Sequence, residues 1–134
     1  MRKRKTPDLE VVDVDILLRK NFPSFLRCCF KTLNPGTEFL PNWHLDAMAA
    51  RLEWVRRGEI NRLIINLPPR YLKSLTVSIA FPAFLLGHNP ALRIYVISYG
   101  NELASKHGAD FRTIVESDWY RRAFPKMRIV KEHR

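Results

Sequence analysis

The segment LPPRYLKS, at residues 67–74, most strongly limits the folds that this chain can adopt, because it lies between two apolar runs. The run before it, residues 61–67, is predicted to be a buried strand, and residues 75–86 are predicted to be a helix. A strand, a short loop, a Lys-Ser pair and a helix follow one another in phosphate-binding loops. The first N–H groups of a helix lack partners and carry partial positive charge, so they can hold a phosphate.

The segment departs from the usual pattern G-x-x-x-x-G-K-[ST] at both glycine positions, which are Leu67 and Leu72 here. Leu does not tolerate the backbone conformations that Gly allows. We expect Lys73 to reach the outer phosphates and Ser74 to ligate Mg²⁺. The alternative is a plain Pro-Pro-Arg connector, followed by a solvated lysine and a serine that only caps its helix.

The order of the apolar segments predicts an α/β fold. A second strand is predicted at residues 91–98, followed by a helix from residue 100 or 101. Both strands are apolar on both faces, as is typical of a parallel sheet covered by helices. We therefore expect a P-loop NTPase-like parallel sheet with flanking helices, of which the chain holds only the N-terminal portion. Pro82 is expected to bend the helix between the strands, which should end near Leu86.

Residues 8–57 are predicted to be a helical region. Residues 9–33 suggest two short helices that break near residues 21–23, where Asn21 precedes Phe22 and Pro23. Asn42 is predicted to cap the next helix, and Gly58 to end it. The apolar stripe of that helix is Leu45, Met48, Leu52 and Val55.

The net charge of +10 is concentrated at the two ends of the chain. Residues 2–5 are all basic, and residues 121–134 are strongly basic, whereas the body between them is nearly neutral. Such ends attract nucleic acid without sequence preference, although solvated flexible ends are the alternative.

The two cysteines, Cys28 and Cys29, are adjacent, and they are predicted to be small buried residues in a reducing compartment. Neither a signal peptide nor a membrane span is expected from the sequence.

Several segments follow one another in the order and spacing of a known family. They are FLPNWH at residues 39–44, GEINRLIINLPPR at 58–70, Lys73-Ser74, FPA at 81–83, GHNP at 87–90, SY at 98–99, SDWY at 117–120 and FP at 124–125. Together they resemble the start of the packaging ATPase domain in the large terminase subunit of tailed bacteriophages. The resemblance covers most of residues 20–125, and the family usually has Gly where this chain has Leu72.

The resemblance implies a motor that hydrolyses ATP, with Mg²⁺, to drive double-stranded viral DNA through a portal protein into a procapsid. It implies a homo-oligomeric ring, a small terminase subunit as partner, and the cytoplasm of a bacterial host. Lys73 would contact the β- and γ-phosphates, Ser74 would ligate Mg²⁺, and Arg70 would be catalytic by stabilising charge on the transferring phosphoryl group. The implied nucleotide-binding residues are Pro69, Arg70, Tyr71, Leu72, Lys73, Ser74, Trp43 and His44.

Each implied role has a structural alternative. Arg70 could instead pair with a carboxylate, and Trp43 fits a packing position better than an adenine platform. His44 could simply occupy a helix start. Ser98 and Tyr99 follow the second predicted strand, where translocating ATPases often face DNA, but ordinary strand-end residues are the alternative.

The resemblance divides the chain into three parts. They are a basic disordered arm (1–7), a helical region that includes the segment expected to pack on the adenine base (8–57) and a truncated ATPase core (58–134). No acid after the loop ends an apolar strand, so a Walker B acid, a catalytic carboxylate and a nuclease site are all missing. We expect weak nucleotide binding without hydrolysis, and a marginally stable or self-associating chain. The alternatives are a non-catalytic basic nucleic-acid-binding module and a fragment of a helicase-like P-loop ATPase.

Overall fold

The computed structural model describes residues 9–130, with side chains from residue 14 onward, and all regular secondary structure in that part is helical. A π-helical segment, Leu75–Ala80, runs directly into the fourth α-helix. The α-helices are α1 (Leu9–Lys20), α2 (Phe22–Leu33), α3 (Trp43–Arg56), α4 (Phe81–His88), α5 (Asn101–Val115) and α6 (Asp118–Ala123).

The predicted parallel sheet is wrong for the part of the chain that the structure describes. Residues 62–68 and 92–98 have no regular secondary structure, and neither forms a strand with a partner there. Because exposed and more buried side chains alternate along them, as in an extended chain, we call them the first and the second extended segment. A sheet needs the N–H and C=O groups of a neighbouring strand, and an apolar run in the sequence does not show that such a neighbour is present. Only one side of each segment contacts the helices: Ile64 is 86% exposed and Ile97 is 91% exposed, whereas half-buried side chains pack on the core at Leu63, Ile65 and Leu67.

The core is an aromatic cluster formed by α2, α4 and the α6 region. The ring of Phe25 lies 5.2 Å from that of Phe84 and 5.8 Å from that of Phe124, centroid to centroid, and is fully buried. Tyr120 is buried among them, and its O–H group is satisfied there because it donates to the carbonyl of Ala83 at 2.6 Å. Burial raises the pKa of Tyr120 well above its ordinary value. Helix-to-helix packing of aromatic rings therefore replaces the expected sheet as the stabilising centre.

The predicted helix boundaries in the first half of the chain are confirmed. The side chain of Asn21 accepts a hydrogen bond from the N–H of Ser24 between α1 and α2, and Asn42 caps α3 by accepting from the N–H of Trp43. Gly58 follows α3 with a φ of +75°, the left-handed conformation that ends helices. The predicted stripe of α3 faces the core, with buried side chains at Leu45, Met48 and Leu52.

The helix that follows the loop differs from the expectation in shape and length. It begins at Lys73, includes the π-helical segment and continues to His88. Proline lacks an N–H group, and its ring clashes with the carbonyl four residues earlier. The wider π turn, in which the N–H of Phe81 donates to the carbonyl of Thr76, accommodates Pro82 without ending the helix.

Both cysteines lie in α2 as free thiols; Cys29 is buried, as predicted, whereas Cys28 is only half-buried. Burial raises the pKa of each thiol, so neither is a reactive thiolate at neutral pH. Within residues 9–130, no helix has the length and apolar character needed to cross a membrane. The basic arm at residues 1–7 and the last four residues lie outside the described part.

Candidate functional site

The turn at residues 69–72 has a backbone that non-glycine residues rarely adopt. Arg70 has a φ of +69° and Leu72 a φ of +59°, so both lie in the left-handed region. This conformation costs an L-residue about 1–2 kcal/mol, and it persists only where the surrounding structure holds it. Leu72 occupies the second glycine position of the phosphate-loop pattern. The backbone there is therefore one that glycine would favour, although the side chain is that of leucine.

The first helical residues after the turn keep their polar groups available. Lys73 and Ser74 are exposed, and the Ser74 hydroxyl makes no capping hydrogen bond, so the interpretation of Ser74 as only a cap is wrong. Thr76 instead donates both its hydroxyl, at 2.7 Å, and its N–H, at 2.9 Å, to the carbonyl of Leu72. Within residues 14–130, neither Arg70 nor Lys73 pairs with an acidic side chain. Both cations remain available to an anion.

The predicted site residues lie on two sides of the turn rather than in one pocket. Lys73 and Ser74 line a groove of about 380 Å³ that they share with the segment before the turn, which contributes Asn61, Leu63 and Ile65. On the other side lies a pocket of about 290 Å³ between the turn, the start of α3 and the segment before it. The residues that line this pocket include Glu38, Leu40, Asn42, His44, Arg70, Tyr71 and Leu72.

The upstream segment contacts the turn through His44. Its buried ring places Nε2 at 3.2 Å from the carbonyl oxygen of Tyr71, and the two rings meet edge to face with centroids 5.2 Å apart. Trp43 is 77% exposed, so its interpretation as a core or packing residue is wrong. The Trp43 ring lies 6.3 Å from the His44 ring, but Trp43 is not among the residues that line the pocket.

The second pair of candidates is separated from the turn. Ser98 Oγ lies 3.3 Å from Nδ1 of His107, a buried residue of α5, whereas Tyr99 is fully exposed. Ser98 and His107 border a largely apolar pocket of about 270 Å³ between residues 92–98, α4 and α5, whereas Tyr99 does not line it. The sequence pattern did not indicate this contact between Ser98 and His107. It also missed Thr76, although a threonine four residues after Leu72 is a known signal for bonding back to a helix carbonyl.

Acidic ligands are scarce around the turn. No described residue that lines the groove beside Lys73 is a carboxylate. Within the described part of the chain, no group of three or more His, Cys, Asp or Glu side chains is arranged to hold a metal ion. The electrostatics of the turn therefore favour an anion over a bare cation.

Comparison with known proteins identifies no relative of this chain: no protein-family model, curated protein or solved structure matches it.

Proposed function

We propose that residues 69–74 bind the phosphate tail of ATP, and that the chain is the nucleotide-binding beginning of a DNA-packaging motor similar to the phage large terminase subunit. The observation that carries the proposal is the left-handed Leu72 directly before Lys73 and the helix start. Strained backbone concentrates at functional sites, and here it occurs where phosphate loops use glycine. Two exposed cations without acidic partners in the described residues flank that position.

The residues of the turn divide the contacts to the nucleotide. The N–H groups that enter the helix, together with the Lys73 ammonium, hold the phosphates, and Arg70 adds charge from the other side of the turn. The pocket of about 290 Å³ is near the lower end of the range of roughly 300–1,000 Å³ found for ligand sites. By its size it suits a nucleobase better than a whole nucleotide, and the aromatic side chain of Tyr71 is among its lining residues.

The residues present also fit a magnesium ion bound through the nucleotide. Mg²⁺ takes one or two protein oxygens and completes its shell with water and phosphate oxygens. The Ser74 hydroxyl is not used by the fold and supplies one such oxygen. The groove beside it has no carboxylate among its described lining residues, so no acidic side chain there is available to act as a catalytic base. We therefore propose binding without turnover by this chain.

In the complete motor, the partners would be double-stranded DNA, a small terminase subunit, a portal protein and further copies in a ring, in the bacterial cytoplasm. A second candidate function is a non-catalytic nucleic-acid-binding module. Exposed basic side chains around α6 favour it, at Arg121, Arg122, Lys126 and Arg128. Its affinity would fall steeply with salt concentration and would not depend on Lys73.

Titration with a fluorescent ATP analogue and Mg²⁺ tests the proposal. Lys73→Ala should weaken binding roughly tenfold or more, because it removes a charge-assisted contact worth about 1.5–3 kcal/mol. Lys126→Ala removes the same charge from the exposed turn after α6 and should change the affinity less than about twofold. No binding by the wild-type chain, or equal loss in both variants, would contradict the assignment of the turn.

A phosphate-release assay on the same samples tests the second part of the proposal. The chain should release no phosphate above the Lys73→Ala background. Steady release that depends on Lys73 would show that the groove contains a catalytic group that we have not identified.

A further inference from the structure

The left-handed backbone of the turn is held by hydrogen bonds to two of its carbonyl groups. Tyr71 lies between two left-handed residues, Arg70 and Leu72. Its carbonyl oxygen is contacted by His44 Nε2 at 3.2 Å, across 27 positions of sequence. The next carbonyl, that of Leu72, is held by Thr76 from within the following helix. Consecutive carbonyls of the turn are therefore attached to two different helices.

The contact assigns Nε2 of the histidine ring the role of hydrogen-bond donor. A carbonyl oxygen can only accept, so Nε2 of His44 must carry the proton and donate. The ring is buried and its edge-to-face contact with Tyr71 restricts its orientation. A donor that is held in this way costs little entropy when it binds the turn.

We propose that His44 is a positioning residue that holds the turn in its left-handed form, an inference that rests on the proposed phosphate-binding function for its biological purpose. Without the bond to Tyr71, Leu72 would relax toward the right-handed or extended regions that leucine prefers. The N–H groups entering the helix at Lys73 would then no longer point to one common position. His44 therefore acts on the ligand through the backbone and does not need to touch the nucleotide base.

A combination of His44→Ala with Leu72→Gly tests this role. Glycine adopts the left-handed region without the steric penalty of leucine, so it removes the need for an external restraint. In the natural background, His44→Ala should weaken binding of ATP with Mg²⁺ about three- to tenfold, the value of one hydrogen bond. In the Leu72→Gly background, the same substitution should weaken it less than about twofold. His44→Gln, which keeps an N–H donor near Nε2, should retain most of the affinity.

Limited trypsin digestion reports on the turn without any nucleotide, because Arg70 and Lys73 are themselves cleavage sites. His44→Ala should raise the cleavage rate after both residues about three- to tenfold, as the turn opens more often. His107→Ala is the matched control, since it removes another buried histidine that contacts Ser98 and not the turn. It should leave these two cleavage rates unchanged.

The outcomes separate the two claims. Unchanged cleavage in His44→Ala, or an equal loss of affinity in both backgrounds, would overturn the positioning role. Faster cleavage in His44→Ala, combined with no ATP binding by any variant, would support the positioning role and refute the proposed function. Rescue of affinity by Leu72→Gly without recovery of the melting temperature would support positioning over a general effect on folding.

Discussion

The aromatic core and the two extended segments are both rich in apolar residues, yet they differ in how completely they bury them. In the core, Phe25 and Tyr120 are fully buried, and Phe84 nearly so. In the extended segments, Tyr95 is 85% exposed and Ile64 is 86% exposed. Hydrophobicity alone therefore does not decide burial in this chain.

The difference follows from where each region finds its hydrogen bonds. A helix pairs its own N–H and C=O groups locally, so α2 and α4 can bury apolar side chains against each other without a partner strand. An extended segment pairs with a neighbouring strand, and within residues 9–130 neither segment has one. The core therefore accounts for stability, whereas the extended segments expose apolar surface that favours association.

The largest expected effect comes from removing one aromatic ring from each region. Phe84→Ala should cost about 3–5 kcal/mol of unfolding free energy, because it leaves a cavity between Phe22, Phe25 and Phe124. Tyr95→Ala, the matched change on the extended segment, should stay within about 0.5 kcal/mol. Urea denaturation followed by circular dichroism measures both. If Phe84→Ala does not fold, the milder Phe84→Leu replaces it in the same comparison. A comparable loss in Tyr95→Ala would show that the extended segment is packed in solution.

An intermediate effect is expected from adding one methyl group at each of two glycines. A Cβ atom at Gly87 would lie 2.5 Å from ring carbons of Phe124, whereas one at Gly108 would meet no atom within 4 Å. Gly87→Ala should therefore lower stability by about 1–3 kcal/mol through overpacking. Gly108→Ala should raise it by up to about 1 kcal/mol, because alanine favours the helix. Thermal melts of the two variants measure the contrast, and equal shifts would refute the packing described at the end of α4.

The smallest expected effect is a pH dependence of stability that arises from His88, at the edge of the aromatic core. Partial burial against Phe84 and Phe124, followed by the charge of Arg56, lowers the pKa of His88 below its ordinary value. Because the folded state binds this proton less tightly, the stabilising contribution of the neutral ring is complete above about pH 6.5, the ordinary histidine value. It should decline as the pH falls through the lowered pKa. His88→Gln should show a shallower loss of stability in that window, measured by urea midpoints, and identical pH profiles would refute the assignment.

Local features of the fold were predictable because they depend on neighbours in sequence. Asn42 caps its helix through the adjacent N–H, and Gly58 ends the same helix by its own backbone freedom. The spacing of Leu45, Met48 and Leu52 likewise determines one face of α3. Whether the apolar runs at 61–67 and 91–98 would pair in a sheet was not predictable in the same way, because the runs do not show whether a partner strand is available.

The candidate site was predictable in its position but not in its geometry. The Lys-Ser pair indicated where an anion would bind, but no rule predicts a left-handed leucine, since Leu72 disfavours that conformation. The contact between His44 and the Tyr71 carbonyl depends on tertiary packing across the turn. Exposure of Trp43 was likewise contrary to expectation, because tryptophan usually packs and nothing in the local pattern shows its surroundings.

The most direct test of the phosphate-binding turn is a titration of the isotope-labelled chain with ATP and Mg²⁺, followed by backbone amide chemical shifts in NMR. The account predicts saturating shifts concentrated at the amides of Tyr71, Leu72, Lys73 and Ser74, and their loss in Lys73→Ala. Shifts confined to the basic residues around α6, or none at the turn up to millimolar nucleotide, would contradict it.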